Sequence, residues 1–510
     1  MKKVISILVA LVTVAALCAC SGGGNNPETT GGEGGTNTDR KASNSVVVGI
    51  SQDIDSLDPH NVTTAGTREV LFNLYEGLVK ATSGGDIEPA VASEYTIAED
   101  FKSILFTIRE GVKFWDGTEV TADDIIFSVE RYAETQGEGS AFSIFESIEK
   151  EGENQIRVNL SEPSSEFIYL MTCAIIPASY GDDPQGAPQG TGPFAFDHFS
   201  PGEEFVVTKN ANYWKENCPY LDKVTFKIVT DTESAILQLN AGTIDIFQYL
   251  TADQASTVDA NMFNIVVGSI NYVQGMFLNN NAAPFNNKLV RQAVYYAVDR
   301  QMISDMLFEG TSHIIGTNMI PAASTYYNAA TETTYTHDVA RAKELLKEAG
   351  YENGFEFTIK VPNNYKPHER TAEVIKENLA EVGITANIKL IDFNEWLDVV
   401  YKNRDYEATV VAVDGTLAPS SFFTKNVSDN VNNFTNYNNP EFDELYVKAL
   451  SETDKDKKIE YYMQLQQILA DDAASIYCQD PSNLVAVNSQ LEGYVFFPIS
   501  AQDMSVIKYK

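Results

Sequence analysis

The stretch SILFTIREGVKF (Ser103–Phe114) alternates, with Leu105, Thr107 and Arg109 on one face and Phe106 and Ile108 on the other. A period of two predicts a half-buried β-strand. Near the start, VVVGIS (Val46–Ser51) is a shorter apolar run of strand character. The later half changes rhythm. EFTIKVP (Glu356–Pro362) reads as a strand, Glu369–Val382 as a helix stopped by Gly383, and ITANIKLID (Ile384–Asp392) as a strand. NEWLDVVYKN (Asn394–Asn403) then reads as a helix, and YEATVVAV (Tyr406–Val413) as a continuous apolar strand of the kind buried on both faces. Strand, helix, strand, helix, strand is the βαβ rhythm of an α/β domain. A further helix precedes it, DVARAKELLKEAG, with Asp338 as N-cap and Gly350 as stop.

The strand at 103–114 runs into VKFWDGTEVTADDIIFSVER (Val112–Arg131), where Asp116, Glu119, Asp123 and Asp124 crowd beside Trp115. Acids next to an aromatic raise the prospect of a catalytic pair or a metal site. Local structure accounts for them instead. Asp116-Gly117 is a turn dipeptide, since glycine accepts positive φ. Thr121 with Asp124 three residues on fits an N-cap and its reciprocal acid, and Asp123 and Asp124 suit the positive end of a helix dipole. Ile125, Val129 and Tyr132 then recur at helical spacing.

At 510 residues the chain exceeds one ordinary core, so two or more domains are expected. A formal charge of −35 repels phosphate backbones and anionic headgroups, which argues against nucleic acid as a partner. The N-terminus reads as a secretory signal over residues 1–20, with Lys2-Lys3 ahead of the apolar Val4–Leu17, too short for the roughly 20 residues a membrane span needs. LCAC (Leu17–Cys20) resembles a bacterial lipobox, which implies lipidation at Cys20. A flexible Gly/Asn/Thr tether follows over residues 21–45. Lipid would then be the membrane anchor.

The remaining cysteines, Cys173, Cys218 and Cys478, form neither a disulfide framework nor a zinc pattern. Free buried thiols are expected, with a Cys173–Cys218 bridge as the alternative. The five histidines (60, 198, 313, 337 and 368) never fall at helical ligand spacing, and no HExxH, GxSxG or P-loop motif occurs. DIDSLDPH (Asp53–His60) lacks the glycine and distal glutamate of a calcium loop and reads as a strand running into an Asp-Pro turn. GTGPF (Gly190–Phe194) suits a tight turn. No catalytic residue, metal site or cofactor is predicted.

Taken in order, DIDSLDPH, LYEGLVK (Leu74–Lys80), FTIREGVKFWDGTEVTADDIIFSVER, GTGPF, NYWKENCPYLDKVTFKIV (Asn212–Val229), PFNNKLVRQAVYYAVDR (Pro284–Arg300), AKELLKEAGYENG (Ala342–Gly354) and YNNPEFDEL (Tyr437–Leu445) resemble the family 5 extracellular solute-binding proteins of bacterial peptide and nickel ABC importers. The resemblance runs from about Val46 to the C-terminus. It implies an α/β, two-lobed periplasmic-binding-protein-like fold of type II with a hinge between the lobes. Lobe one would take 46–271 plus 480–510, with a subdomain inserted at about 81–187, and lobe two would take 275–478.

By the same resemblance the chain is a monomeric receptor and not an enzyme. It captures a peptide, in the oligopeptide range, in the interlobe cleft. It then delivers the peptide to a permease and ATPase encoded separately, at the outer face of the cytoplasmic membrane. Peptide members hold the ligand's α-ammonium with an aspartate after the last lobe-two strand. The matching segment is VVAVDGTLAPSSFF, where Asp414 is the only acid and Val411-Ala412-Val413-Asp414 replaces the usual Trp-x-x-Asp. Helix capping is the other role open to Asp414. Gly415, the lobe-one strip with Thr63, Thr64 and Ala65, and Tyr365, Trp396, Phe422 and Phe423 complete the expected ligand-binding set. Asn363-Asn364 stand before Tyr365, where dipeptide receptors carry an arginine. The same scaffold in other members binds oligosaccharides, opines or metal complexes. A secreted hydrolase is the remote alternative from another class.

Overall fold

The computed structural model describes residues 37–136, 140–180, 188–323, 325–363 and 365–510. The signal segment with Cys20, most of the tether, and Asn364 lie outside the described residues.

Two large sheets form the cores of two lobes. The first has seven strands in the order Phe263–Ser269, Ser482–Asn488, Ile246–Leu250, Ser45–Ile50, Lys223–Ile228, Glu204–Lys209 and Phe194–Ser200. Ser45–Ile50 is central and runs parallel to both neighbours, with Val48 opposite Phe226 and Ile246. That is why VVVGIS is apolar on both faces. The second sheet has six strands in the order His313–Ile314, Ile476–Asp480, Val273–Leu278, Ala408–Val413, Glu356–Pro362 and Thr385–Ile391. Ala408–Val413 sits between an antiparallel and a parallel partner, and its first four residues are buried.

The predicted helices around it form as Val339–Glu348, capped by Asp338 (2.9 Å to the Arg341 N–H), and Lys366–Glu381, which begins three residues earlier than the sequence suggests because Pro367 suits its first turn. The expected Asn394–Asn403 helix is one α-turn, Phe393–Trp396, followed by a wider π-turn, Leu397–Lys402.

A third, four-stranded antiparallel sheet carries Ala92–Ile97, Ser103–Ile108, Gln155–Leu160 and Phe145–Lys150. Ile104 and Phe106 face inward onto the helix Ala122–Gln136 through Ile125 and Val129, the alternation read from the sequence. Gly117 takes φ 91° in the turn after this strand. The Asp116 carboxylate accepts the Thr118 N–H at 2.9 Å, and Thr121 and Asp124 cap each other at 2.8 and 3.3 Å.

The other shared motifs lock to one another. Asp58 pairs with Arg131 at 2.6 Å, and Arg131 also reaches His60 Nδ1 at 2.9 Å, so DIDSLDPH is riveted to the subdomain helix. Glu76 of LYEGLVK accepts from Lys80 (3.0 Å), the Tyr213 hydroxyl and the Trp214 indole (both 2.7 Å). The Arg109 guanidinium stacks 3.8 Å above the Trp214 ring. GTGPF packs backbone to backbone on Leu74: a Cβ on Gly190 would lie 2.1 Å from the Leu74 carbonyl oxygen.

The chain crosses between the two large sheets at Ser269–Val273 and returns at Asp480–Ser482. The crossings are bonded together, Ile270 N–H to Pro481 O at 2.9 Å and Tyr272 N–H to Asp480 Oδ1 at 3.0 Å. Cys173, Cys218 and Cys478 are free, and burial pushes the thiols of Cys173 and Cys478 up to about 12. Among the described residues no helix is long and apolar enough to cross a membrane, and no group of three His, Cys, Asp or Glu side chains is arranged to hold a metal ion.

Candidate functional site

The central strand of lobe two ends at Val413 and presents Asp414, exposed, beside the crossings. Its carboxylate acts electrostatically on Tyr272, Tyr401 and Lys425. Lys425 donates to the Asp414 main-chain oxygen at 2.8 Å. Gly415 lets the chain turn flush against Phe422, since a Cβ there would sit 2.4 Å from the ring.

Tyr272 is the pivot of the arrangement. It is half-buried at the first crossing, and burial raises its phenol to about 12. Ser500 hydrogen-bonds it, and the charges that act on it come from both lobes: Asp414 from one, Glu69 and Arg68 from the other. Tyr365 lies close to Tyr272, and its ring meets His368 edge-on at 4.8 Å. Beneath them His368, Thr371, Gln274 and Gln479 form a buried network, with Gln479 donating to Gln274 at 2.7 Å and Gln274 bonded to His368 Nδ1 at 3.1 Å. Burial holds the His368 imidazole neutral, its pKa down to about 3.

On the lobe-one wall, Thr63 and Thr64 turn their side chains onto Asp55. The Thr63 N–H and the Thr64 hydroxyl each lie 2.9 Å from that carboxylate, which these bonds hold well below its ordinary pKa. Thr64 also caps the helix Ala65–Leu71, and the Thr63 carbonyl holds exposed Arg68 at 3.1 Å. One turn on, Glu69 is buried, and desolvation raises its carboxyl to about 7 against hydrogen bonds from Tyr249 (2.5 Å) and Gln248 (3.3 Å).

The inserted subdomain also reaches lobe two. Glu166, 4% exposed, accepts from the Tyr462 hydroxyl at 2.5 Å, from Lys458 at 2.7 Å and from the Ser420 N–H at 3.0 Å. Lys458 bonds Ser165 as well, at 2.5 Å. Next to this clasp is a cavity of about 100 Å³ between Gly84–Asp86 and Tyr169 on one side and Ile320, Tyr326, Leu417 and Phe422 on the other. Small-molecule sites typically run to about 300–1,000 Å³, so this space suits one side chain and not a whole peptide.

The expected site residues therefore divide. Asp414 and Gly415 follow the lobe-two strand, Tyr365 lies by the first crossing, Phe422, 4% exposed, lines the small cavity, and Thr63, Thr64 and Ala65 lead into the lobe-one helix. Trp396 and Phe423 need correction as surface contacts. Trp396 is 4% exposed and spends its one donor on Thr409 Oγ1 at 2.9 Å, and Phe423 is fully buried against Tyr462. Their apolar area is used in the lobe-two core, behind the site. Sequence reasoning missed Tyr272, Lys425, Arg68, Glu69 and Glu166. Glu69 and Glu166 gain their meaning from partners 180 and 296 residues away, and Arg68 and Lys425 from nearby main-chain carbonyls, which no side-chain motif signals.

Compared with known proteins, residues 86–435 match the family described as bacterial extracellular solute-binding proteins, family 5 Middle. The glutathione-binding protein GsiB of Escherichia coli (strain K12) is 26% identical over 90% of this chain and 93% of its own length. Among solved structures, the PBP AgaA of A. tumefaciens R10 in complex with agropinic acid superposes with a TM-score of 0.76 at 27% identity, covering 91% of this chain and 99% of that one. DppA from Helicobacter pylori in complex with the peptide STSA superposes at 0.77 with 26% identity, covering 91% and 98%.

Proposed function

The chain belongs to the family 5 bacterial extracellular solute-binding proteins and serves as a substrate-binding protein of an ABC importer, and from that premise we propose that its solute is a peptide held between the lobes. Asp414 receives the ligand's α-ammonium. Gly415, Tyr365 and Phe422 line the lobe-two side, and the backbone of Thr63, Thr64 and Ala65 lies along the lobe-one side, because the two threonine side chains are taken by Asp55. Lobe one comprises 46–271 and 480–510 and lobe two 275–478, with closure about the paired crossings. The protein does no chemistry of its own. It works as a monomer anchored through lipid on Cys20, and hands its load to a separately encoded permease and ATPase.

The observation that carries the reading is Asp414: an exposed carboxylate at the mouth of the central lobe-two strand, beside a tyrosine that senses charge from both lobes. An ammonium enclosed between two lobes is costly without an acidic partner. The peptide bound by the DppA relative favours this ligand class. The test is a cycle of Asp414→Asn against free and N-acetylated peptides, by calorimetry. Removing one partner of an enclosed pair is worth about 3–5 kcal/mol, at least a hundredfold in affinity. Acetylation should cost the wild type as much and the variant far less. Additive losses would remove Asp414 from the site.

A second reading, a small amino-acid-derived solute in the same cleft, is favoured by the agropinic acid bound in the AgaA relative. Native mass spectrometry of the chain from Ser21 onward, followed by denaturation, separates the two by the mass of what is released.

A further inference from the structure

Lys425 is the unexplained charge at this site. It sits half-buried in the short turn Thr424–Asn426, and desolvation lowers its ammonium's pKa while the Asp414 charge alone pulls it back up. Its recorded hydrogen bond goes to a main-chain carbonyl, that of Asp414, at 2.8 Å. Among the described residues no carboxylate lies within 4.0 Å of its Nζ. The other buried lysines differ. Lys80 has Glu76 at 3.0 Å and Lys458 has Glu166 at 2.7 Å. A desolvated ammonium bonded to a neutral oxygen is under-compensated, and it has further N–H donors to offer an incoming anion. Asp414 has the complementary state, an exposed carboxylate with acceptor capacity.

We propose that Asp414 and Lys425 together read a zwitterionic head group, an ammonium and a carboxylate on the same carbon, so that the preferred ligand joins the rest of its structure through a side chain, as a γ-linked peptide does. This rests on the placement of Asp414 in the ligand site. The pair sits at one strand end: the lysine's bond to the Asp414 carbonyl ties the ammonium to the residue that bears the carboxylate, and both belong to lobe two, so their spacing does not depend on closure. An α-linked peptide offers Asp414 its ammonium but offers Lys425 only an amide carbonyl, a weaker acceptor than a carboxylate. Tyr401, whose hydroxyl donates to Asn432 at 3.1 Å, also feels the Asp414 charge.

Two isomers isolate the effect: γ-Glu-Gly and α-Glu-Gly have the same atoms, net charge and size, and differ only in which carboxyl carries the peptide bond. Titration calorimetry of the full mature chain should give the γ-isomer an advantage of about tenfold or more. Lys425→Met, which keeps the stem and removes the charge, should abolish the preference, and Lys425→Arg should restore most of it. Asp414→Asn should weaken both isomers. A purely structural lysine would change the melting temperature and leave the isomer ratio alone. An equal affinity for the isomers in wild type, or a γ-preference that survives in Lys425→Met, overturns the head-group assignment. If linear α-peptides still bind through Asp414, the peptide reading stands without it. If neither isomer nor any other peptide binds, both fall.

Discussion

Glu166 offers the sharpest perturbation of lobe closure. It lies in the inserted subdomain, yet every partner of its carboxylate belongs to lobe two: Lys458, the Tyr462 hydroxyl and the Ser420 N–H. Glu166, Lys458 and Tyr462 are buried, at 4%, 5% and 0% exposed, and Ser420 is half-buried. Glu166→Ala leaves an ammonium, a hydroxyl and an amide without their acceptor. Breaking a buried pair by removing one partner costs about 3–5 kcal/mol, and the stranded neutral donors add to it less than additively. If the clasp forms on closure, that energy leaves the closed state alone. Ligand affinity should then fall by about two to four orders of magnitude, and the free protein should expand.

Small-angle scattering with and without peptide, together with calorimetry, reads both effects. Glu166→Leu with Lys458→Met should recover much of the loss, because an apolar pair of similar volume replaces a buried ion pair at little cost. A variant that melts lower while its affinity and radius of gyration stay unchanged would refute the clasp as a closure device and make it a fixed strut.

The capping pair of the acid-rich stretch gives a contrasting expectation. Thr121→Ala should lower stability by about 0.5–2 kcal/mol, read as a melting shift, with ligand affinity unchanged; lost affinity at unchanged stability would make the stretch functional. The crossings carry a pH signature. Burial raises Asp480 from an ordinary 3.8 to about 7, so between those values the folded state holds a proton that the unfolded chain has released. Stability from this group is complete below pH 4 and is lost as pH rises to about 7. His368, neutral down to about 3, acts in reverse and costs stability as pH falls below 6.5. Urea unfolding at pH 5 and pH 7.5 should therefore show a smaller pH difference attributable to carboxylates in Asp480→Asn than in the wild type. An identical slope in the two proteins would mean that Asp480 is ionised when buried.

How much of this was legible in sequence follows from the range of each interaction. The strand from Ser103, the Asp116-Gly117 turn and the Thr121–Asp124 cap are decided within a few residues, and the periodicity and turn chemistry predicted all three, although the strand, expected to run to Phe114, ends at Ile108. The lobe-two βαβ run was legible for the same reason, apart from the π-turn after Trp396, where helical spacing fits either winding. Trp396 and Phe423 were misplaced because an aromatic in a pocket wall and one in a core look identical along a chain. Glu166 was invisible since Lys458 and Tyr462 stand some 290 residues away.

One physical criterion separates the site from the scaffold after the fact. The acids that make the family resemblance so specific are compensated within the protein: Asp58 by Arg131, Glu76 by Lys80, Tyr213 and Trp214, Asp124 by Thr121 and the Ala178 N–H at 2.8 Å. A satisfied buried charge holds a fold in register and has little left to give a ligand. Near the crossings, groups with spare capacity stand beside these completed ones: Asp414 exposed, Lys425 bonded among the described residues to a carbonyl, Arg68 held by the Thr63 carbonyl and itself exposed. Recognition belongs to groups whose hydrogen-bonding and charge the fold leaves incomplete. The sequence motifs mark the completed ones, which is why they identify the family, while the solute is read by the incomplete ones.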